Sequence, residues 1–359
     1  MAGRDGALEV MGITELAKQI GVQYKKYTIP VATKNMLYHF VTRERRKTYG
    51  PAHPDQTIYI IRSIADHSPF YIGPVHNLLA NYFYVLSHIQ YARTKGWIPV
   101  VDQLNYPVYN SQSTPIHGTK NPWEYFWQQP GGVSLEEAYR SKHVVLSKRS
   151  WFWEWDMGYD VKKYKDKKCV QFFHELSSQA PLNSWTRDYV SRIKENLLPS
   201  GQRILGVNVR IGGHDKHAIK HGEGHPIQPQ LDVLLSIAEQ RQKDWNIDAI
   251  FLACDTEHVV QAFQSAFSEK LIILPRLRAE LGNEYGLDRN KQMFRPENLF
   301  QTSIDYLTEM ELLSTCTAFV GSITSGFRYA LIRNGNACEH VEVLDCGTFR
   351  DCRTREHIT

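Results

Sequence analysis

The chain has 359 residues, with 42% hydrophobic, 22% charged and 12% aromatic side chains, a composition that excludes a largely disordered chain. Its 42 basic and 38 acidic residues leave a formal charge of +4, too even for a dedicated nucleic-acid binder, which carries a basic face. The length passes the roughly 250–300 residues at which single cores stop growing, so two domains are expected.

No run of about 18 apolar residues is present, and the first residues lack the charged-then-apolar order of a secretory signal. A cytoplasmic location is the expectation. The basic run at Arg43, Arg45, Arg46 and Lys47 reads as a solvated face, with peripheral docking to a membrane surface as the alternative. Cys169, Cys254, Cys316, Cys338, Cys346 and Cys352 form no C-x-x-C pair and are read as thiols.

In chain order, the β-branched run 57–64 predicts a strand. A loop with Gly73 and Pro74 follows. Leu78, Leu79, Tyr82, Val85, Leu86 and Ile89 then fall at helical spacing, and the helix ends at Gly96. WIPVVD closes a β-α-β unit on Asp102, and such units bind ligands at the carboxyl ends of their strands. Residues 103–160 are loop-rich and aromatic. Trp123, Trp127 and Trp151 in this stretch suit an acceptor platform, because pyranose C–H faces pack on rings; core packing is the competing reading.

The boundary is expected between about 165 and 200, giving an N-terminal domain over 1–180 and a C-terminal domain over 181–359. A helix over 184–197 leads into RILGVNVRI and DAIFLACD, two buried strands, and KLIILP and AFVGSI, a third and a fourth strand, with helices over HVVQAFQSAF, SIDYLTEMELLSTC and TSGFRYALIRNG between and after them. This alternation predicts a second parallel sheet. Two Rossmann-like domains facing a central cleft describe the α/β architecture called GT-B.

Three strand ends in the second half carry polar residues. Arg210 leaves its strand beside Gly212 and Gly213, where a guanidinium can hold a diphosphate through two parallel hydrogen bonds or pair with a structural carboxylate. Asp255 ends the second strand and can accept from a base or ribose, or cap the next helix. Ser322, Thr324 and Ser325 precede a helix, where hydroxyls and backbone N–H groups form an anion site or a plain cap.

The order GVNVR…DK, FLACD and DYLTEMELLSTCTAFVGSITSGFRYALI resembles the fucosyltransferase superfamily, which includes α-1,6-fucosyltransferases, nodulation fucosyltransferases and protein O-fucosyltransferases. The resemblance covers about 205–335 and implies an inverting, metal-independent GT-B glycosyltransferase with GDP-fucose as donor, needing no cofactor. It implies that Arg210 binds the donor β-phosphate and that Asn208 stands where the family has a guanine-side histidine. It further implies that Asp255 matches the first acid of the A-T-D-D motif, that Glu309 matches the acid that reads guanine, and that Ser322, Thr324 and Ser325 match the phosphate hydroxyls. Ile211 replaces the motif's second arginine, two extra residues precede Asp215 and Lys216, and Glu309 is not Asp. These departures fall on base and sugar recognition, so another nucleotide sugar stays open as the donor.

Inversion requires a base for the acceptor hydroxyl. Glu223, shortly before His225 and Pro226, is the candidate by resemblance, with Asp215, His214 and His217 in reserve; an ordinary loop carboxylate is the alternative for Glu223. Arg210 would stabilise the leaving diphosphate. The expected partners are a nucleotide sugar and a glycan or polysaccharide acceptor, without nucleic acid. A non-catalytic nucleotide-sugar or glycan-binding protein is the competing function. An NAD-dependent enzyme is disfavoured because the loop after the first strand lacks G-x-G-x-x-G.

Overall fold

The computed structural model describes residues 40, 42–64, 78–210, 224–279 and 299–349. The loop at Gly73, Glu223 and Asp215 with its neighbours His214, Lys216 and His217 lie outside these residues. The chain divides into two compact units. The first holds the residues up to Ser113, Thr119–Trp123 and Gln129–Phe152; the second holds Thr114–Gly118, Glu124–Gln128 and the chain from Trp153 onward. The division thus falls near 152 and not at 180.

In the first unit, β1 (Arg45–Lys47), β2 (Ala52–Arg62), β3 (Ile98–Asp102) and β4 (Ser141–Leu146) form one sheet in the order β1-β4-β2-β3. β2 runs parallel to β3 and β4, and β1 is antiparallel to β4. Both faces of β2 are covered, which is why its second half reads as an unbroken apolar run. Ile58 and Ile60 pack with Val100, Val144 and Leu146 beneath α2 (Leu135–Ala138). Tyr59 turns the other way, toward α1 (Leu78–Thr94), where its hydroxyl meets His88 Nδ1 at 2.8 Å.

The second unit is built on five parallel strands: β5 (Ile204–Val209), β6 (Ala249–Cys254), β7 (Leu271–Ile273), β8 (Ala318–Ser322) and β9 (His340–Leu344). Their order is β7-β6-β5-β8-β9. Its helices are α3 (Val161–Lys165), α4 (Lys167–Ser177), α5 (Ser184–Leu197), α6 (Leu231–Asp244), α7 (Glu257–Phe267), α8 (Leu299–Leu313) and α9 (Ser325–Asn334). Leu205, Val207 and Val209 pack with Ile250, Leu252 and Val320 under α6 and α7. The opposite face meets α8 and α9 closely: a Cβ on Gly206 would lie 2.5 Å from the Leu313 side chain, and one on Gly321 would lie 2.7 Å from the Phe327 ring.

The helices over 161–177 belong to this second unit because their partners do. Asp156 pairs with Arg328, both buried, and His174 Nδ1 lies 2.7 Å from the Ile332 carbonyl. No helix among the described residues is long and apolar enough to cross a membrane.

Candidate functional site

The order of the second sheet locates the site. The chain moves outward from β5 to β6 and β7, then returns to place β8 on the other side of β5. The topological switch point therefore lies between β5 and β8, where crossovers leave in opposite directions and open a crevice at the carboxyl ends. Asn208 sits there, level with Ala253 on β6 and Gly321 on β8. Half-buried Arg210 follows directly.

Asn208 is buried and tied on both sides. Its Nδ2 donates to the Ala253 carbonyl at 3.4 Å, and its Oδ1 accepts from Thr324 Oγ1 at 2.8 Å. The same Thr324 oxygen accepts from the Phe327 N–H at 3.0 Å and so caps α9. Ser322 donates to Gln228, whose amide reaches the Ile323 carbonyl at 3.3 Å. Asn208, Ser322 and Thr324 are thus engaged with protein and shape the crevice from behind.

Arg210 and Ser325 both act on Tyr306 beside it. Burial pushes the Tyr306 phenol up, while the Arg210 charge and the hydrogen bond with Ser325 pull it partly back. Ser325 is the first residue of α9, so its backbone N–H carries the positive end of a ten-residue helix. A guanidinium, a hydroxyl, a phenol and a helix N-terminus can together hold an anion such as a phosphate.

The second group gathers at the end of β6. After β7 the chain runs extended past this strand end, with Thr256 and Ala279 bridged in parallel. Arg276 and Arg278, two residues apart, reach the same carbonyl of Cys254 at 2.6 and 3.3 Å. Both also hold Glu309, Arg276 at 2.7 Å on one oxygen and Arg278 at 2.9 Å on the other. All three side chains are at most 5% exposed. Glu309 is therefore enclosed by two arginines, and direct reading of a base by Glu309, as the resemblance implies, has no free carboxylate edge here. Asp305, one turn earlier on α8, keeps partial exposure, and burial pushes its carboxyl up against the opposing pull of the Gln301 hydrogen bond and Arg276. Asp255 lies half-buried at the mouth, its backbone carbonyl accepting from the Ala279 N–H at 2.9 Å. Burial and the Glu309 carboxylate push the Cys254 thiol up to about 12, so it is a neutral wall.

The three tryptophans read as an acceptor platform are packing residues. Trp123 is fully buried in the first unit, stacked on Tyr82 with centroids 6.1 Å apart. Trp127 is buried in the second unit beside Phe126, and Trp151 stands edge-on to Tyr84. Their rings offer no open face, because the apolar area they cover is the interior of each unit. Trp153, 66% exposed, is the accessible one of the stretch.

Arg276, Arg278, Gln228 and Tyr306 were not anticipated. The spacing of Arg276 and Arg278 shortly after a half-buried parallel strand was the readable signal, since alternate residues of an extended segment share a side.

No family model matches the sequence, and no curated protein matches it. Among solved structures, fucosyltransferase NodZ from Bradyrhizobium is similar over 77% of this chain and 92% of its own, at 14% identity and a TM-score of 0.41. POFUT1 in complex with GDP is similar over 81% of this chain and 99% of its own, at 9% identity and a TM-score of 0.46. A mutant of Arabidopsis thaliana FUT1 in complex with GDP is similar over 93% of this chain and 79% of its own, at 12% identity and a TM-score of 0.45. Identity this low carries no residue role to this chain.

Proposed function

We propose that this chain is an inverting, metal-independent glycosyltransferase of the GT-B kind that transfers fucose from GDP-fucose to a glycan or polysaccharide acceptor. The observation that supports this reading best is the placement of Arg210 at the switch point of the second sheet, beside Ser325 at the start of α9. That is where an open α/β sheet receives a nucleotide phosphate. The motif order over 205–335 supports the donor class.

In this reading Arg210, Ser325 and the α9 N-terminus stabilise the diphosphate as it leaves, and their charge takes the place that a metal ion would otherwise fill. Asn208, Ser322 and Thr324 hold those groups in position. Glu223 is proposed as the base, with Asp215 in reserve, and both await their own substitutions. The donor with another base is the second reading, and the closure of Glu309 by Arg276 and Arg278 favours it.

Calorimetric and thermal-shift titrations with GDP, UDP, CMP and dTDP in the presence of EDTA test the proposal. GDP alone should raise the melting point, by about 2.7 kcal/mol of added stability at a hundredfold excess over its dissociation constant. Arg210→Ala should lose most of that shift. Selective response to another nucleotide would discard fucose, and response to none would discard the transferase reading.

A further inference from the structure

β1 lies at the outer edge of the first sheet and pairs with β4 alone among the described strands. Arg46 is level with Val145 on β4, and His143 is level with Thr57 on β2. Val145 is in turn level with Tyr59, which faces α1. Alternate residues of a strand share a face, so Arg46, His143 and Thr57 stand on that same side of the sheet. The pairing of β2 with β4 is broken beside them. Between the pairs Ala52–Ser141 and Thr57–His143, β2 advances five residues and β4 only two. The extra residues bulge out of the ladder, with His53 in the left-handed region at φ 49°. Next to this break is a cavity of about 390 Å³, lined by Arg46, Lys47, Thr48, Thr57 and His143 together with two valines of β4. That volume lies in the range of about 300–1,000 Å³ that small-molecule pockets occupy.

The lining holds two fixed cations, an imidazole and two hydroxyls, and no carboxylate. Among the described residues, the side chains of these five make no hydrogen bond or ion pair. The acids of the neighbouring segments are engaged elsewhere. Glu44 accepts from the Tyr91 hydroxyl at 3.3 Å, Glu136 pairs with Arg140 at 3.2 Å, and Glu137 closes the capping box of α2. Asp55, exposed on the bulge, does not line the cavity. The turn that follows Thr48 is fixed: the Tyr49 and Gly50 N–H groups both donate to the Ser141 carbonyl, at 3.0 and 3.3 Å, and the Tyr49 ring stands edge-on to Tyr139 with centroids 5.0 Å apart. Position 50 admits no side chain there, since a Cβ would lie 2.6 Å from the Arg140 carbonyl oxygen. A merely solvated basic face needs neither a concavity nor walls free of acid. Like charges gathered on one face of a sheet repel. A doubly charged anion seated among them removes that repulsion and accepts from the hydroxyls as well.

We propose that this cavity at the β1–β4–β2 edge is a binding site for a phosphate monoester, held by Arg46, Lys47 and His143 with the hydroxyls of Thr48 and Thr57. Such a group carries close to two negative charges at neutral pH and three acceptor oxygens. It matches two fixed cations and leaves oxygens for the hydroxyls, whereas one carboxylate would leave a cation uncompensated. The carrier is either a soluble ester or a lipid headgroup, and the phosphate is what the two share. The site draws no residue from the second unit and does not depend on the glycosyl-transfer reading.

The test pairs calorimetry and sedimentation on the full chain. The soluble probe is glycerol 3-phosphate, with glycerol as its neutral control. The lipid probe is phosphatidylcholine vesicles carrying phosphatidic acid, against vesicles carrying phosphatidylglycerol at matched surface charge. Glycerol 3-phosphate should bind and glycerol should not, with an affinity that falls as salt is added. Arg46→Gln and Lys47→Gln together should weaken binding at least about tenfold. Both side chains are exposed, so the double variant should melt as the wild type does. Thr57→Val changes no charge and should still weaken binding several-fold, which a bare basic face would not show. Arg210→Ala should keep the binding that the double variant loses. Retention by phosphatidic acid vesicles that glycerol 3-phosphate competes away assigns the carrier as a lipid headgroup. Binding of glycerol 3-phosphate without retention by vesicles assigns it as a soluble ester. Absence of binding to both probes, a loss that follows Arg210→Ala in place of the double variant, or equal retention by the two vesicle types with no response to Thr57→Val would overturn the site.

Discussion

At the scale of single residues, the strongest constraint is the enclosed Arg276–Glu309–Arg278 group. Burial pulls the Arg276 guanidinium down, but the charge and hydrogen bond of Glu309 more than offset this and leave it above its ordinary value. One carboxylate serves two cations, so the group keeps a net positive charge at the end of β6. Removing the shared partner costs more than removing either cation. Glu309→Gln should therefore lower the unfolding free energy of the second unit by about 3–5 kcal/mol, as expected for a broken buried ion pair, measured by urea denaturation. Glu309→Asp keeps the charge but shortens the reach by one methylene, and should lose visibly less. If Glu309→Gln instead retains full stability and changes nucleotide preference, the residue faces a base and the enclosure by arginines is not its working state.

Elements set which of these residues can meet. Helix α9 illustrates this: Thr324 caps its start and Gly335 ends it in the left-handed region, at φ 62°. A Cβ on Gly335 would also lie 2.6 Å from the His174 ring, which is held by the Ile332 carbonyl. Gly335→Ala should thus cost about 1–3 kcal/mol and loosen α4 from α9, read as faster amide exchange in both helices. This C-terminal glycine, the helix over 184–197 and the strands and helices from β5 to α9 other than α6 were legible from the sequence, because apolar period and cap residues act locally. β1, β4, β9, α4 and α6 were not. SKHVVL is short and exposes Lys142 and His143, so its strand character comes from pairing with β2. The tryptophans misled for a related reason: ring density marks burial and sugar binding alike, and only packing against Tyr82, Phe126 and Tyr84 separates them. In the candidate site, the strand-end positions of Arg210, Asn208 and Asp255 followed from the pattern. The arginines that enclose Glu309 did not, since their partner lies 33 and 31 residues away.

For the whole molecule, two compact units with separate cores imply two sources of stability that need not fail together. The first unit carries a group that makes it acid-sensitive. His88 is fully buried, with Nδ1 2.8 Å from the Tyr59 hydroxyl and Nε2 3.1 Å from the Ser150 carbonyl. A neutral ring protonated on Nε2 satisfies both contacts. Burial pulls its pKa down to about 3, the Ser150 carbonyl opposes this, and the Lys148 and Arg62 charges add to it. A folded pKa below the unfolded value of 6.5 means that the unfolded chain binds the proton first. The stabilisation is therefore complete above about pH 6.5 and is lost as the pH falls toward 3. Between pH 7 and pH 4.5 the first unit should lose about 2–3 kcal/mol, with a slope near one proton. Asp102 works in the opposite sense: burial raises its carboxyl, so its protonation favours the folded state and trims the loss at the acid end. Differential scanning calorimetry from pH 7 to pH 4.5 should show one transition moving down ahead of the other. His88→Asn, which keeps an acceptor for Tyr59, should melt lower at pH 7 but flatten the pH slope. A wild-type slope unchanged in His88→Asn would place the acid sensitivity on another group.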